Sequence, residues 1–181
     1  TSALIVGIPF VTLNFMWIIN DALQKGLKVR AMGSGWSFSK VAVCDGAIIN
    51  TKRLRLKIKP KAENFDPQFL AAGNNTENFK FLQCGNTIIS LNRLLEQESV
   101  PAKSLRCSGG SNGQTIVGAF STGTHGASLN VGALTEMIVG LHIITGPDRH
   151  VYIERSSRRI TSPLFHQKIG AEAIVDDDLF N

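Results

Sequence analysis

A chain of 181 residues with 43% apolar side chains can form one packed domain, or two small lobes sharing a core, and is too apolar for a disordered chain. Its formal charge of +5 and pI near 9.3 suit an anionic ligand better than nucleic acid, because the basic residues are scattered and no aromatic-basic motif accompanies them. Cys44, Cys84 and Cys107 are odd in number, far apart and without CxxC or histidine spacing, which argues against a disulfide framework and against a zinc site.

The opening TSALIVGIPFVTLNFMWII is interrupted by Gly7, Pro9, Thr12 and Asn14 and has no basic leader, short of the roughly 18 to 20 apolar residues that cross a bilayer. The chain is therefore expected to be soluble and cytoplasmic, with no signal peptide and no membrane partner. From Asn14 to Lys25 the spacing of Phe15, Ile18, Ile19, Ala22 and Leu23 predicts a helix that stops at Gly26. LKVRAM then reads as a strand and GAIINT as a short buried strand. KRLRLKIKPK, Lys52 to Lys61, alternates basic with apolar residues and reads as a half-buried edge strand. KAENFDPQFLAAGNNTENFK, with its proline, glycine and asparagine pair, reads as a loop or hairpin excursion with little regular structure. FKFLQCGNT is a strand, and Ile88, Leu91, Leu94 and Leu95 mark a helix with Thr87 as N-cap that stops near Ser99 to Pro101. A short helical turn is expected inside the Gly, Ser and Thr-rich stretch Ser108 to Gly126. EMIVGLHIITGPDRHVYIERSS predicts a hairpin turning at Pro147, and the tail beyond it reads as irregular. No repeat period is present.

Two small-residue loops carry the chemistry. VRAMGSGWSFS resembles a dinucleotide fingerprint only at first sight. It lacks the third glycine, no helix pattern follows, and no acidic residue stands about 20 positions on. What remains is either a tight turn or a concavity of backbone N–H groups suited to anionic oxygen, with Ser34, Ser37 and Ser39 adding hydroxyls. The second loop, CSGGSNGQTIVGAFSTGTHG, adds backbone that can approach a ligand closely and six more hydroxyl donors. Together the loops suggest a diphosphate held between two lobes.

These blocks, with GAIINTKRL, CGNTIISLNRLLEQE and VGLHIITGPDRHVYIER, resemble the FAD-binding domain of the vanillyl-alcohol oxidase (PCMH-type) flavoprotein superfamily, most of all its sugar, alditol and aldonolactone oxidase branch. The resemblance runs from about Leu27 to Arg155. It implies an α+β fold of two lobes, a small α/β lobe over residues 1–58 and a larger, mainly antiparallel lobe with flanking helices over 59–181. FAD is expected between them. By position, Gly33, Ser34, Gly35, Trp36, Ser37 and Phe38 would wrap the pyrophosphate, while Ser108, Ser111, Asn112, Gln114, Thr115 and Gly118 would line the other side. Ser121, Thr122, Gly123, Thr124, His125 and Gly126 would lie along the diphosphate, ribityl chain and flavin, and the backbone at Ile138 and Val139 would meet the adenine.

Many members of the branch tether the flavin through a histidine at the position of Trp36. An indole has no free nucleophilic lone pair, so noncovalent FAD is expected, with Trp36 as a packing group at the flavin edge. Cys107 is read as a buried structural thiol, not a cysteinyl link. His125 is either a base or positive group near the flavin, or a hydrogen-bonded piece of loop architecture, the reading favoured here. His142 is assigned to the sheet. No catalytic residue is assigned, because the resemblance puts the substrate pocket in a second domain expected to follow Asn181. The expected activity is a flavin-dependent oxidation of an alcohol, polyol or lactone, with oxygen or another acceptor. A nicotinamide-dependent flavin reductase on the same fold and a noncatalytic flavin- or nucleotide-binding subunit stay open as alternatives.

Overall fold

The computed structural model describes residues 2–178, with side chains from residue 8 onward; the last three residues of the DDDLFN stretch and the side chains before residue 8 in the opening run lie outside the described residues. In chain order the chain forms α1 (Ser2–Gln24), β1 (Val29–Met32), β2 (Ala47–Asn50), β3 (Lys57–Ile58), α2 (Pro67–Ala71) and β4 (Phe81–Leu82). These are followed by α3 (Ile88–Glu98), α4 (Ile116–Ser121), β5 (Gly140–Ile144), β6 (His150–Glu154), α5 (Pro163–Ile169) and β7 (Glu172–Val175). Helices and small sheets mix, so the fold is α+β. Two compact units are present. Unit 1 takes the residues up to Leu27, Lys59–Phe79 and those from Val139 on, and unit 2 takes Lys28–Ile58 and Lys80–Ile138.

In unit 1, α1 runs through Pro9, well before the start at Asn14 that spacing alone predicts. Among its described side chains Ile8, Thr12 and Ala22 are buried, and the Thr12 hydroxyl donates to the Ile8 carbonyl at 2.9 Å. Gly26 follows at φ +64°, the left-handed stop expected of it. Among the described residues no helix is long and apolar enough to cross a membrane.

The segment read as an irregular loop or hairpin excursion is instead built of short helical turns. Asp66 caps α2, accepting from the Gln68 and Phe69 amides at 2.8 and 3.4 Å, with Pro67 at its first position. Phe65, Phe69 and Phe79 pack ring against ring, at centroid distances of 5.5 to 5.9 Å. Phe79, ten residues beyond Phe69, joins a pair already four residues apart, and the three rings supply the order that Pro and Gly interrupt.

The predicted hairpin forms as β5 and β6, antiparallel from Gly140↔Glu154 to Ile144↔His150. The tail, expected to be irregular, adds α5 and then β7, which lies parallel to β6. A parallel neighbour needs a crossover, and α5 is that crossover, capped by the Ser162 hydroxyl and ended by Gly170 at φ +69°. Glu154 is fully buried in this corner. Its carboxylate accepts from the Ile160 and Thr161 amides and the Thr161 hydroxyl at 3.2, 3.1 and 2.7 Å, which offsets the cost of burying it. The Thr161 hydroxyl also lies 2.7 Å from His166 Nε2.

In unit 2, β1 and β2 pair in parallel, Val29↔Ala47 to Met32↔Asn50. A side chain at Gly46 would strike the Lys28 backbone, so glycine lets these strands close up. β2 is half-exposed, not buried as GAIINT suggested: every second residue faces solvent. The basic stretch also departs from expectation. Thr51–Arg53 is a 3-10 turn, and only Lys57 and Ile58 form a strand, antiparallel to β4. The alternation itself holds, with Leu54, Leu56 and Ile58 half-buried and Arg55, Lys57 and Lys59 exposed. Part of the ladder runs through a side chain: Gln83 Oε1 accepts from the Leu56 amide at 2.9 Å.

Thr87 caps α3 as predicted, its hydroxyl accepting from the Ser90 amide at 3.3 Å. The expected short helix in the second small-residue loop is α4. Ile88, Cys107, Ala119 and Leu134 form the core beneath it, with Leu105, Ile116, Phe120, Val131 and Met137 packed around.

Candidate functional site

Both small-residue loops belong to unit 2. The first springs from the end of β1. Among the described residues, no backbone N–H from Gly33 to Ser39 donates a hydrogen bond within the chain. Gly35 sits at φ +74° with open space where a Cβ would point, and the Ser37 and Ser39 hydroxyls lie 3.1 Å apart. Phe38 is fully exposed. Farther on, Arg30 donates to the Val41 carbonyl and ties down the segment that follows the loop.

The second loop is held to α3. Thr87 and Thr115 form an isolated bridge, with Ile88 N–H donating to the Gln114 carbonyl at 3.0 Å and Ile116 N–H to the Asn86 carbonyl at 2.8 Å. Thr115 is buried, Ser108, Ser111 and Gln114 are half-buried, and Asn112 and Gly118 are exposed. Gln114 Oε1 is a buried oxygen with no hydrogen-bond partner. After α4, the Thr122 hydroxyl bonds back to the Gly118 carbonyl at 3.0 Å, Gly123 turns at φ +63°, and the Thr124 carbonyl accepts from Leu134 at 2.9 Å. Ser121, Thr122, Gly123 and His125 face solvent, and Gly126 lies over the Cys107 side chain.

The two loops meet at two glycines. A Cβ on Gly33 would run into the Thr115 hydroxyl, and a Cβ on Gly113 would come within 2.6 Å of the Trp36 ring. Within the second loop, Gly109 faces the Thr124 methyl in the same way, 2.7 Å from where its Cβ would be. These absences of side chain let two backbones, their amides and their hydroxyls share one small region. Trp36 thus rests on Gly113, with 53% of its surface still exposed. Gly109 and Gly113 were not among the residues singled out from sequence. Gly113 lies beside an oversized residue of a distant loop, a pairing that no local pattern in the sequence marks.

Cys107 is a buried thiol that donates to the Gly132 carbonyl at 3.1 Å, as expected of a structural group. His125 Nδ1 lies 2.9 Å from the Gly126 carbonyl, which fits the architectural reading of that histidine. Ile138 closes a 3-10 turn by donating to the Thr135 carbonyl and is the last residue of unit 2, while Val139 opens a segment of unit 1. His142 does lie in the sheet, in β5, with Nε2 2.9 Å from His150 Nδ1, and burial with the neighbouring imidazole holds its pKa down to about 4.

The donor set fits an anionic diphosphate. Neither loop contains Asp or Glu, the first presents a run of unpaired amides, and hydroxyls come from both. Open space at Gly35, Gly110 and Gly123 leaves the backbone free to approach a ligand.

No family model matches the chain. Curated relatives do. It is 26% identical over 140 residues to the D-arabinono-1,4-lactone oxidase of Candida glabrata, a match covering 77% of this chain and 24% of that protein. It is 26% identical over 137 residues to the enzyme of the same name from Kluyveromyces lactis, covering 76% of this chain and 24% of that one. To the L-gulono-1,4-lactone dehydrogenase of Mycobacterium tuberculosis it is 28% identical over 128 residues, 71% of this chain and 26% of that protein. The chain spans about a quarter of the length of the curated relatives it matches, and it is similar, over most of its own length, to oxidoreductases named for aldono-1,4-lactones.

Proposed function

We propose that this chain is the FAD-binding portion of a flavin-dependent oxidoreductase that oxidises an aldono-1,4-lactone or a related CH–OH donor, within a two-lobed PCMH-type domain. The observation that supports it most is the meeting of two acid-free loops at Gly33–Thr115 and Trp36–Gly113, with the amides of the first loop unpaired. FAD, when bound, supplies the redox chemistry, accepting hydride at N5 from the substrate C–H and passing electrons to oxygen or another acceptor. The residues of this chain hold and orient it. The Gly33–Ser39 amides and the Ser34 and Ser37 hydroxyls would neutralise diphosphate oxygens, and Ser108, Ser111, Thr115, Thr122 and Thr124 would supply donors from the second loop. Trp36 carries no nucleophile for a tether, so the cofactor is held noncovalently.

The test is direct. Purified protein is expected to be yellow, or to quench FAD fluorescence on titration, and acid precipitation is expected to leave all colour in the supernatant. Colourless protein without FAD affinity would sink the reading, and colour in the pellet would sink its noncovalent part. Ser34→Asp places a carboxylate among the unpaired amides and is expected to weaken FAD binding at least about tenfold, roughly 1.4 kcal/mol, with thermal stability kept. Anaerobic bleaching by aldono-1,4-lactones, followed by admission of oxygen, separates an oxidase from a dehydrogenase and both from a passive flavin carrier.

A further inference from the structure

We propose that the Asn112–Gly113 peptide is a site of spontaneous deamidation, and that the Trp36 ring resting on Gly113 sets how fast it reacts. Asn112 is exposed, and it is the only asparagine of the chain followed by glycine. Glycine in that place leaves the main-chain nitrogen unshielded and the backbone free to turn. After losing its proton to solvent base, the Gly113 nitrogen attacks Cγ of the Asn112 side chain. A C–N bond forms, the side-chain nitrogen leaves as ammonia, and water opens the five-membered imide to aspartate or isoaspartate. Asparagine and water become (iso)aspartate and ammonia, and no oxidant or cofactor is consumed.

Three contacts oppose this. The Gly113 amide, whose nitrogen must attack, donates to Ser111 Oγ at 3.3 Å. The Asn112 carbonyl accepts from the Ile89 N–H at 3.0 Å, pinning the main chain to the first turn of α3. The indole of Trp36 occupies the space on the far side of Gly113, so closely that a Cβ there would lie 2.6 to 2.9 Å from three ring atoms. Ring closure needs rotation about the bond between Asn112 Cα and its carbonyl carbon. That rotation carries the Asn112 carbonyl off the Ile89 N–H and moves Gly113 in the space it shares with the indole. The loop therefore reacts only when it opens.

The product cannot refit the same space. Aspartate puts a negative charge into a pair of loops that has none, and isoaspartate also lengthens the main chain by one carbon directly under the ring. If the loops hold a diphosphate, the reading on which this consequence rests, deamidation expels it.

The experiment ages the whole protein in mildly alkaline buffer at physiological temperature with no flavin added, beside an unstructured peptide spanning residues 106–118. Aspartate and isoaspartate at position 112 are read by peptide mass spectrometry and isoaspartyl methyl-acceptor assay. The folded protein is expected to react about tenfold more slowly than the peptide, as ordering of the loop backbone requires. Trp36→Ala is expected to recover most of that factor, and Ser111→Ala, which removes only the acceptor of the Gly113 amide, to accelerate the reaction severalfold. Ser111→Ala keeps the proposal testable if circular dichroism shows Trp36→Ala to be unfolded. Equal rates in protein and peptide, or an unchanged rate in the folded variants, would overturn it. Because the rate is scored without flavin, its outcome is independent of whether the loops bind FAD.

Discussion

The indole of Trp36 packs directly on the Cα of Gly113, with no room between them for a methyl group. Gly113→Ala would set a methyl group 2.6 Å from the ring, and overpacking of that kind costs about 1–3 kcal/mol. The expected result is a lower denaturation midpoint together with weaker FAD binding, and adding Trp36→Ala in the same chain should restore most of the midpoint. A neutral Gly113→Ala would show that the ring is free to move aside. In the sequence, Trp36 was conspicuous as a large residue in a loop of small ones. Its partner was illegible, because no periodicity relates a residue in one loop to a glycine in another, and only the fold brings them together. Thr115 against Gly33 is a second case of the same kind. By contrast Cys107, read as a structural thiol, is buried and donates to the Gly132 carbonyl.

Elements whose signals are local came through intact. Thr87 with the apolar spacing of Ile88, Leu91, Leu94 and Leu95 specifies α3, and Pro147 with its flanking alternation specifies the β5–β6 hairpin. β7 was invisible because its only pairing is with β6, across an intervening helix, and β3 was overcalled because alternation reports which faces are wet and not how many residues pair. The sheet has a pH signature. Burial, with His150 alongside, lowers His142 from 6.5 to about 4, and burial also lowers His166. Both bind protons more readily when unfolded, so the stability that their neutral forms contribute is complete above about pH 6.5 and falls below it, for His142 down to about pH 4. For His142, after allowance for partial exposure, the loss is on the order of 2 kcal/mol. Urea midpoints measured across that window should fall, and His142→Gln should flatten the fall; an unchanged slope in that variant would remove the imidazole pair as its cause.

At the scale of the molecule, unit 2 is interrupted by residues 59–79, yet the interruption is closed at its base. Ile58 is the register partner of Phe81, so the two ends of the insertion leave from the same end of one antiparallel ladder. Replacing residues 59–80 with Asn-Gly, a two-residue turn suited to such a ladder, in a piece spanning 28–138 is expected to leave a unit that unfolds in a single cooperative transition. A molten, dye-binding product would show that unit 2 needs the rest of the chain. Unit 1 has the opposite construction, and its consequence is one of timing. Asp66 N–H donates to the Ile160 carbonyl, Ser162 N–H to the Asn64 carbonyl, and the Ser162 hydroxyl to the Glu63 carbonyl, at 2.8, 2.9 and 2.8 Å. Each bond joins segments nearly a hundred residues apart. As the chain leaves the ribosome, all of unit 2 has been synthesised before residue 160 exists, and the ring cluster of Phe65, Phe69 and Phe79 must wait for the Thr161 segment that bridges to Phe65. The interval in which those rings are uncovered is when a nascent chain of this design most needs a chaperone.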